Sequence, residues 1–440
     1  MRAAAAHCSL RCHAAAGQIL RIEGVASTAM IPRFARRWRR AAHLFRVKRQ
    51  RHSLARLIRF KLRPDTDRHG ILFIVPWTVV GGADKVNLDL ATHLNKALFS
   101  LHFLTTSPSD NPWADRFAEF SRNLLHLPQL VYPENYQEFL LSYIRSAHIK
   151  TVLISNSLLG YQAAAAIKQH YPDVQVLDLL HGEGGKHENG GFPRLSFPYE
   201  AHLDHRIVVT EYLRDFLLRE YHIDANRITV IRNGIDTVKL DPVKVARGRY
   251  RKLLGLRPED FVVTYLGRLA PEKHPEHVLS IAKLLLQEDP AAPLHVVMAG
   301  DGPLACDIRR TLADLPWLAS RVHLTGYVHD PERLLVDSDT VVLTSEAEGL
   351  PLVALEAMSL EVPVLASAVG GLPELITNGR DGYLIEYSER FPHRAANLLR
   401  NLMRNPRERR ALSLTARRAI LERFSIGRMV SEYERIFLTH

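Results

Sequence analysis

Short apolar runs alternate with longer segments of helical spacing over most of the chain after residue 70. In the first half, apolar and β-branched runs bounded by turn residues predict strands at 71–76, 101–105, 151–155, 174–180, 207–210 and 228–232. After a polar stretch, further strands are predicted at 261–267, 294–299, 322–325, 340–344 and 362–366. Strands that alternate with helices are typical of βα units, so the pattern predicts two α/β domains with parallel sheets.

The polar stretch after Gly234 separates the two groups of strands. We therefore expect an extension over 1–64, a first domain over 65–240 and a second domain over 241–424. A chain of 440 residues exceeds what one hydrophobic core usually serves, which agrees with two domains. Parallel sheets bind ligands at the carboxyl ends of their strands, so two such domains that face each other form a binding cleft.

Positive charge is concentrated in the N-terminal extension. Residues 1–64 hold 16 of the 58 Lys and Arg residues and one of the 47 Asp and Glu residues, so they carry +15 and the rest carries −4. Over 31–63, apolar residues occur among arginines with the spacing of a cationic amphipathic helix, which would bind an anionic membrane surface. A flexible tail fits the same composition, and the segment also resembles an organelle transit peptide.

Two further features of the sequence limit the expected partners and the expected cellular compartment. No aromatic-basic RNA motif accompanies the positive charge, so nucleic acid is not an expected partner. The sequence contains no apolar run of the roughly eighteen residues that a membrane span requires. We therefore expect a cytoplasmic protein, peripheral on the inner face of the cytoplasmic membrane if the segment 31–63 binds there.

Two glycine-containing loops follow predicted strands of the first domain. Gly81 and Gly82 let the backbone approach a ligand, and the helix that follows favours an anion such as a diphosphate, although the pair also fits an ordinary turn. His181 can donate a hydrogen bond to a phosphate or a sugar hydroxyl, or be satisfied by backbone groups, and Glu183 can accept from an acceptor hydroxyl. A metal site of His181, Glu183 and His187 is not expected, because the spacing fits no standard site.

The second domain carries cations where a predicted strand meets a helix. Arg268 offers a planar fork of donors and Lys273 a movable charge, and both follow Gly267. Such a pair suits a diphosphate leaving group, whose charge must be neutralised. A surface ion pair between Glu272 and one of these cations is the alternative. Gly300 follows the next predicted strand, in a loop where the backbone can come close to a ligand.

A pair of glutamates is the most informative feature. Glu348 precedes a helix predicted to begin near Pro351, and Glu356 lies more than one turn into that helix, so both carboxylates can face one cleft. A carboxylate can accept hydrogen bonds from vicinal hydroxyls of a sugar or a ribose. Because Glu356 lies in an apolar run, it requires a polar partner. The donor site expected here comprises Glu348, Gly349, Leu350, Pro351, Leu352, Val353 and Glu356, with backbone amides at the helix start facing a phosphate.

These motifs, in this order, resemble family 4 of the retaining glycosyltransferases, which have the GT-B fold. The resemblance extends over roughly residues 71–440 and is densest over 230–384. It implies an α/β fold of two Rossmann-like domains whose parallel sheets face each other across a cleft. It also implies that a C-terminal helix, expected over 425–440, crosses back to the first domain.

The resemblance implies roles for the charged residues. Glu348 matches the glutamate that contacts the donor sugar, and Glu356 matches the one that contacts the ribose. Arg268 and Lys273 match the cations that grip the donor diphosphate. The expected catalytic set is these two cations, Glu348 and His181, which resembles the active-site histidine of the family.

In the same family, the glycine loop of the acceptor domain corresponds to Gly81 and Gly82. The implied reaction moves a sugar from a nucleotide-diphosphate sugar to a hydroxyl acceptor with retention, by front-face displacement in which the departing phosphate helps to deprotonate the acceptor. Neither a metal nor another cofactor is expected. The acceptor is expected to be a cell-surface glycan or a lipid-linked saccharide.

Two other functions are compatible with the same fold. A nucleotide-sugar epimerase would bind a similar donor without an acceptor, but the paired glutamates do not favour it. A non-catalytic protein that binds a sugar or a membrane could keep the scaffold, although the intact set of charged residues argues against a degenerate site.

Overall fold

The computed structural model describes residues 67–184 and 190–439. The extension 1–64, with its predicted membrane-binding segment 31–63, lies outside the described residues. The same holds for His187 in the predicted cleft loop. Within the described ranges, no helix is both long enough and apolar enough to cross a bilayer.

The first half forms a seven-stranded parallel sheet in the order β3-β2-β1-β4-β5-β6-β7. Its strands are β1 His69–Val75, β2 Phe99–Thr105, β3 Asn123–His126, β4 Ile149–Ser155, β5 Gln175–Leu180, β6 His205–Val208 and β7 Ile228–Val230. Six of them confirm predicted strands to within a few residues at each end. β3 was missed because it is a short edge strand whose four residues are all only partly buried.

The second half forms a six-stranded parallel sheet in the order β10-β9-β8-β11-β12-β13. Its strands are β8 Phe261–Leu266, β9 Leu294–Ala299, β10 Val322–Gly326, β11 Thr340–Leu343, β12 Val364–Ser367 and β13 Tyr383–Ile385. Five of them confirm predictions, and β13 was missed because it is an edge strand of three residues. The limits proposed for the two domains stay predictions, while the two sheets themselves match the predicted fold.

Helices cover both faces of each sheet, and this explains the long apolar runs of the central strands. All seven residues of β2 are buried, and so are residues 70–75 of β1. The α-helices of the described chain are α1 Gly82–His93, α2 Ala114–Ala118, α3 Leu127–Leu130, α4 Tyr136–Ser146, α5 Leu158–His170, α6 Gly191–Ser196, α7 Glu211–Tyr221, α8 Arg249–Leu253, α9 Pro275–Glu288, α10 Ala305–Asp314, α11 Pro316–Ala319, α12 Pro331–Val336, α13 Leu352–Ser359, α14 Leu372–Leu375, α15 Phe391–Arg404, α16 Pro406–Arg423 and α17 Ile426–Leu438.

In each sheet the first three strands lie side by side in reverse order, and the later strands extend the sheet on the opposite side of the first one. The reversal falls between β1 and β4 in the first sheet and between β8 and β11 in the second. Loops that leave neighbouring strands in opposite directions open a crevice at the carboxyl ends, which is where ligands bind in such sheets. The predicted site residues follow β1, β5, β8, β9 and β11 and therefore lie at this edge.

The last helix returns to the first domain, as predicted. Phe437 of α17 packs edge-on against Phe99 at the start of β2, with ring centroids 6.0 Å apart. The Glu434 carboxylate accepts a hydrogen bond of 2.8 Å from the backbone N–H of Asn95. The chain also connects the two halves where Ile235 forms a bridge with Ser425, just before α17 begins.

Candidate functional site

Glycine loops of the two domains touch each other across the cleft. A Cβ added to Gly349 would overlap the carbonyl oxygen of His181, and a Cβ on Gly371 would overlap Thr210. The Asn233 side chain donates a hydrogen bond of 2.9 Å to the carbonyl of Leu350. The candidate site is therefore assembled from both domains, with backbone in contact with backbone at its centre.

We expect the variant Gly349→Ala to weaken donor binding by about tenfold or more, because a backbone carbonyl cannot give way as a flexible side chain can and the two loops must separate. Calorimetric titration with nucleoside diphosphates checks this prediction. The matched control is Gly427→Ala on α17, where an added Cβ meets no atom within 4 Å. Equal affinities of the two variants would contradict the importance of the close approach.

Lys273 and Glu348 meet directly. The Lys273 ammonium donates to Oε1 of Glu348 at 2.7 Å, and the Ser345 hydroxyl donates to the same oxygen at 2.6 Å. Lys273 ends the 3₁₀ turn Pro271–Lys273, and its carbonyl accepts from the Thr344 hydroxyl at 2.7 Å. Two loops, one after β8 and one after β11, thus hold a cation against a carboxylate in a fixed arrangement.

Arg268 is placed differently from Lys273. Its guanidinium donates to the Glu272 carboxylate, and its side chain is 60% exposed. The sequence allowed an ion pair between Glu272 and one of the two cations, and the structure shows that pair with Arg268. The buried Glu272 also links the loops, because its carbonyl accepts from the backbone N–H of Glu346 at 3.0 Å.

Glu356 is buried in α13 and has a polar partner from the other domain. The Lys85 ammonium on α1 lies 3.6 Å from Oε1 of Glu356 and 2.9 Å from the Asp89 carboxylate. Burial raises the pKa of Glu356, and the charge of Lys85 opposes this rise. Sequence reasoning missed Lys85, although its place in the first turn of the helix after Gly82 was a usable signal.

His181 lies at the end of β5 and bonds to a side chain rather than to backbone. Its Nε2 lies 3.1 Å from the Ser155 hydroxyl, which also accepts from the Asn87 amide at 3.1 Å. Burial lowers the pKa of His181 to about 4, so the ring is neutral at neutral pH. A neutral imidazole has one donor nitrogen and one acceptor nitrogen.

This lowered pKa predicts a dependence of stability on pH. Between pH 6.5 and 4 the unfolded His181 binds a proton that the folded ring does not, so the free energy of unfolding falls as pH falls through this window. His181→Asn should therefore lose less stability than the wild type between pH 7 and 5, as measured by urea unfolding. The exposed His93→Asn is the control and should follow the wild type. Parallel losses in all three proteins would contradict a neutral His181 in the folded state.

The glycines of the remaining predicted loops differ in the space around them. A Cβ on Gly82 would meet no atom within 4 Å, so the start of α1 is open, whereas a Cβ on Gly81 would lie 3.3 Å from the Asp84 carboxylate. Gly300 has a φ of +135°, and a Cβ there would overlap the carbonyl of Gly267, so these two glycines allow the loops after β8 and β9 to pack together.

The residues around the start of α13 are partly or fully buried. Pro351 is the N-cap residue of α13, so the helix begins at Leu352, one residue after the start predicted from the sequence. Leu350 and Leu352 are buried in the hydrophobic core, while Val353 is only partly buried. Glu183 accepts a hydrogen bond of 2.6 Å from the Tyr212 hydroxyl, so its carboxylate already has a partner.

Comparisons with known proteins identify the family of this chain. The family described as glycosyl transferases group 1 matches residues 246–419, and the one described as glycosyltransferase family 4 matches residues 80–239. N-acetyl-alpha-D-glucosaminyl L-malate synthase of Bacillus anthracis is 32% identical over 301 residues, which cover 66% of this chain and 71% of that relative. The chain belongs to glycosyltransferase family 4.

Other relatives match over a shorter span. The UDP-Gal:alpha-D-GlcNAc-diphosphoundecaprenol alpha-1,3-galactosyltransferase of Escherichia coli is 34% identical over 40% of this chain and 46% of its own length. The D-inositol 3-phosphate glycosyltransferase of Rhodococcus jostii is 36% identical over 50% of this chain and 49% of its own length. The chain thus spans about half the length of these two relatives.

Solved structures confirm the predicted fold. HepE of Anabaena, in complex with UDP-glucose, has a TM-score of 0.69 and 18% identity, and the match covers 84% of this chain and 100% of that one. Sucrose-phosphate synthase of Thermosynechococcus elongatus has a TM-score of 0.64 and 19% identity, over 84% of this chain and 99% of that one. The two parallel sheets and the returning C-terminal helix are those of a GT-B family 4 protein.

Proposed function

We propose that this family 4 protein is a glycosyltransferase that moves a sugar from a nucleotide-diphosphate sugar to a hydroxyl acceptor, with retention of anomeric configuration. The observation that carries the proposal is the contact of Lys273 with Glu348 at the carboxyl ends of β8 and β11, where a parallel sheet binds its ligand. A cation and a carboxylate held side by side offer one group for a diphosphate and one for sugar hydroxyls.

Each charged group has a task in this reaction. Lys273 balances the charge that develops on the diphosphate as the bond to the sugar breaks, and the exposed guanidinium of Arg268 adds a second donor. Glu348 accepts hydrogen bonds from the sugar. The N–H groups at the start of α13 face the phosphates, and the buried Glu356 accepts from the ribose.

The acceptor oxygen attacks the anomeric carbon from the face that the diphosphate leaves. The bond from the anomeric carbon to the diphosphate oxygen breaks as the new glycosidic bond forms, and the acceptor proton passes to the departing phosphate. This route needs neither a metal nor another cofactor. In this proposal the neutral His181 donates a hydrogen bond to the sugar and does not carry the proton, since desolvation lowers its pKa to about 4.

UDP-sugars are the first donors to test, because the Escherichia coli relative is named for UDP-Gal and HepE was solved in complex with UDP-glucose. A cell-surface glycan or a lipid-linked saccharide is the proposed acceptor, and the diphosphoundecaprenol in the name of the Escherichia coli relative supports the lipid-linked class. With such an acceptor, we place the protein in the cytoplasm, on the inner membrane face, where the basic segment 31–63 would meet anionic lipid.

The full chain can be incubated with radiolabelled UDP-sugars, with and without polyprenyl-diphosphate-linked saccharides. The proposal predicts that label moves to the saccharide only when the acceptor is present, and that NMR of the product shows the donor's anomeric configuration. Conversion of the UDP-sugar to its epimer without an acceptor would instead identify an epimerase. Binding of the donor without turnover on any acceptor would favour a non-catalytic protein.

A further inference from the structure

One ion pair connects the two domains inside the candidate donor site. Lys85 belongs to α1 of the first domain and Glu356 to α13 of the second, and their charged atoms lie 3.6 Å apart. The Glu356 side chain is 9% exposed and that of Lys85 is 33% exposed. Glu356 is thus shielded from water while Lys85 is partly exposed, and the pair forms only when α1 and α13 face each other closely.

The surroundings of Glu356 contain more acid than base. Asp89 on α1 and Glu332 on α12 both act to raise the pKa of Glu356, in addition to burial. Lys85 lies between Asp89 and Glu356 and opposes that rise. On α16, which packs against α13, the Arg417 guanidinium is engaged elsewhere, with the carbonyl of Ser359 and the Asp241 carboxylate.

We propose that Lys85 is a positioning residue for the donor: it keeps Glu356 ionised and correctly oriented, so that the ribose hydroxyls are recognised only when the two domains are apposed. The inference rests on the proposed function, because it assigns Lys85 to the ribose end of that same site. Asp89, one turn further along α1, holds the ammonium at 2.9 Å and fixes its position toward the second domain.

The strength with which Glu356 binds the ribose depends on whether its carboxyl group is ionised. An ionised carboxylate accepts from both vicinal ribose hydroxyls, and such charge-assisted bonds are the strong ones. A protonated carboxyl has less capacity to accept and forms weaker bonds. Without Lys85, the buried Glu356 faces two other acids and loses the charge that opposes the rise of its pKa. A larger fraction of the carboxyl is then protonated at a given pH, so the site distinguishes less well between a ribose and a sugar without these hydroxyls.

The test measures dissociation constants of UDP and of 2′,3′-dideoxy-UDP by calorimetry at pH 6.5, 7.5 and 8.5. The ratio of the two constants isolates the ribose hydroxyls, because both nucleotides share the base and the diphosphate. For the wild type we expect UDP to bind about tenfold more tightly or better. Lys85→Met should lower the ratio, most at pH 6.5 and least at pH 8.5, because the ionised fraction of Glu356 grows as the pH rises.

Two further variants serve as controls. Lys85→Arg keeps the positive charge and should keep most of the wild-type ratio. Lys168→Met removes a lysine that also pairs with an aspartate, Asp204 at 2.9 Å, but on α5, and it should leave the ratio unchanged. Partial recovery with pH in Lys85→Met also shows that this variant is folded.

Each other outcome overturns a defined claim. If Lys85→Met keeps the wild-type ratio, or loses affinity for both nucleotides equally at every pH, Lys85 is not the positioning residue proposed here. If the wild type binds neither nucleotide but binds another nucleoside diphosphate, the choice of UDP is wrong, and the same comparison made with that nucleotide decides the role of Lys85. If it binds no nucleoside diphosphate, the proposed function is wrong and the inference fails with it.

Discussion

Lys273→Met is expected to lower kcat/KM for sugar transfer by about 10²- to 10³-fold, the usual cost of removing one preorganised group that stabilises developing charge. Methionine preserves the length and apolar stem of the side chain while removing the ammonium that contacts Glu348. The effect should fall mainly on kcat, because the charge on the diphosphate grows as the bond breaks. Initial rates with the full-length chain over a range of donor concentrations measure it.

Lys283→Met is the matched control for this variant. Lys283 lies on α9, close in sequence to Lys273, but it is exposed and should be replaceable without loss of transfer. Arg268→Ala should also lower the rate, through loss of the second cation at the diphosphate. A Lys273→Met enzyme that retained its full rate would remove the basis for assigning the diphosphate to this loop.

Arg206→Met is expected to destabilise the first domain by about 3–5 kcal/mol, the cost of leaving a buried charge without its partner. Arg206 is fully buried at β6 and pairs with Asp178 of β5, which also accepts from the Tyr161 hydroxyl at 2.7 Å. The Arg206 Nε donates to the Glu200 carboxylate at 2.7 Å as well. Urea unfolding of the wild type and the variant measures the loss.

The double variant Arg206→Met with Asp178→Asn provides the control for this loss. Asparagine can still accept from Tyr161 but carries no charge, so the double variant should be more stable than Arg206→Met alone. Equal stability of the two variants, or a loss below about 1 kcal/mol for Arg206→Met, would contradict the role given to the buried network.

The sequence predicted the features that depend on local pattern. β1 and β5 were found because they are apolar runs closed by turn residues, and α13 was predicted to start near Pro351 because proline suits the first turn of a helix. By contrast, β3 and β13 are short edge strands, whose stability comes from pairing with a neighbour rather than from a strong apolar pattern.

Site contacts between distant segments were harder to predict. The burial of Glu356 in an apolar run indicated that it needs a polar partner, but nothing in the sequence named Lys85, which comes from the other domain. The sequence assigned Arg268 and Lys273 to the same diphosphate. In the structure, Arg268 donates to Glu272 and Lys273 donates to Glu348. Side-chain direction depends on how the loops after β8 and β11 pack, and that packing is a tertiary property.

The proposed donor site is tested most directly by a crystal structure of the full chain soaked with UDP. We expect the diphosphate within hydrogen-bonding distance of Lys273 and the start of α13, and the ribose hydroxyls on the Glu356 carboxylate. A nucleotide bound with its diphosphate on the first domain, away from Lys273 and Glu356, would contradict it.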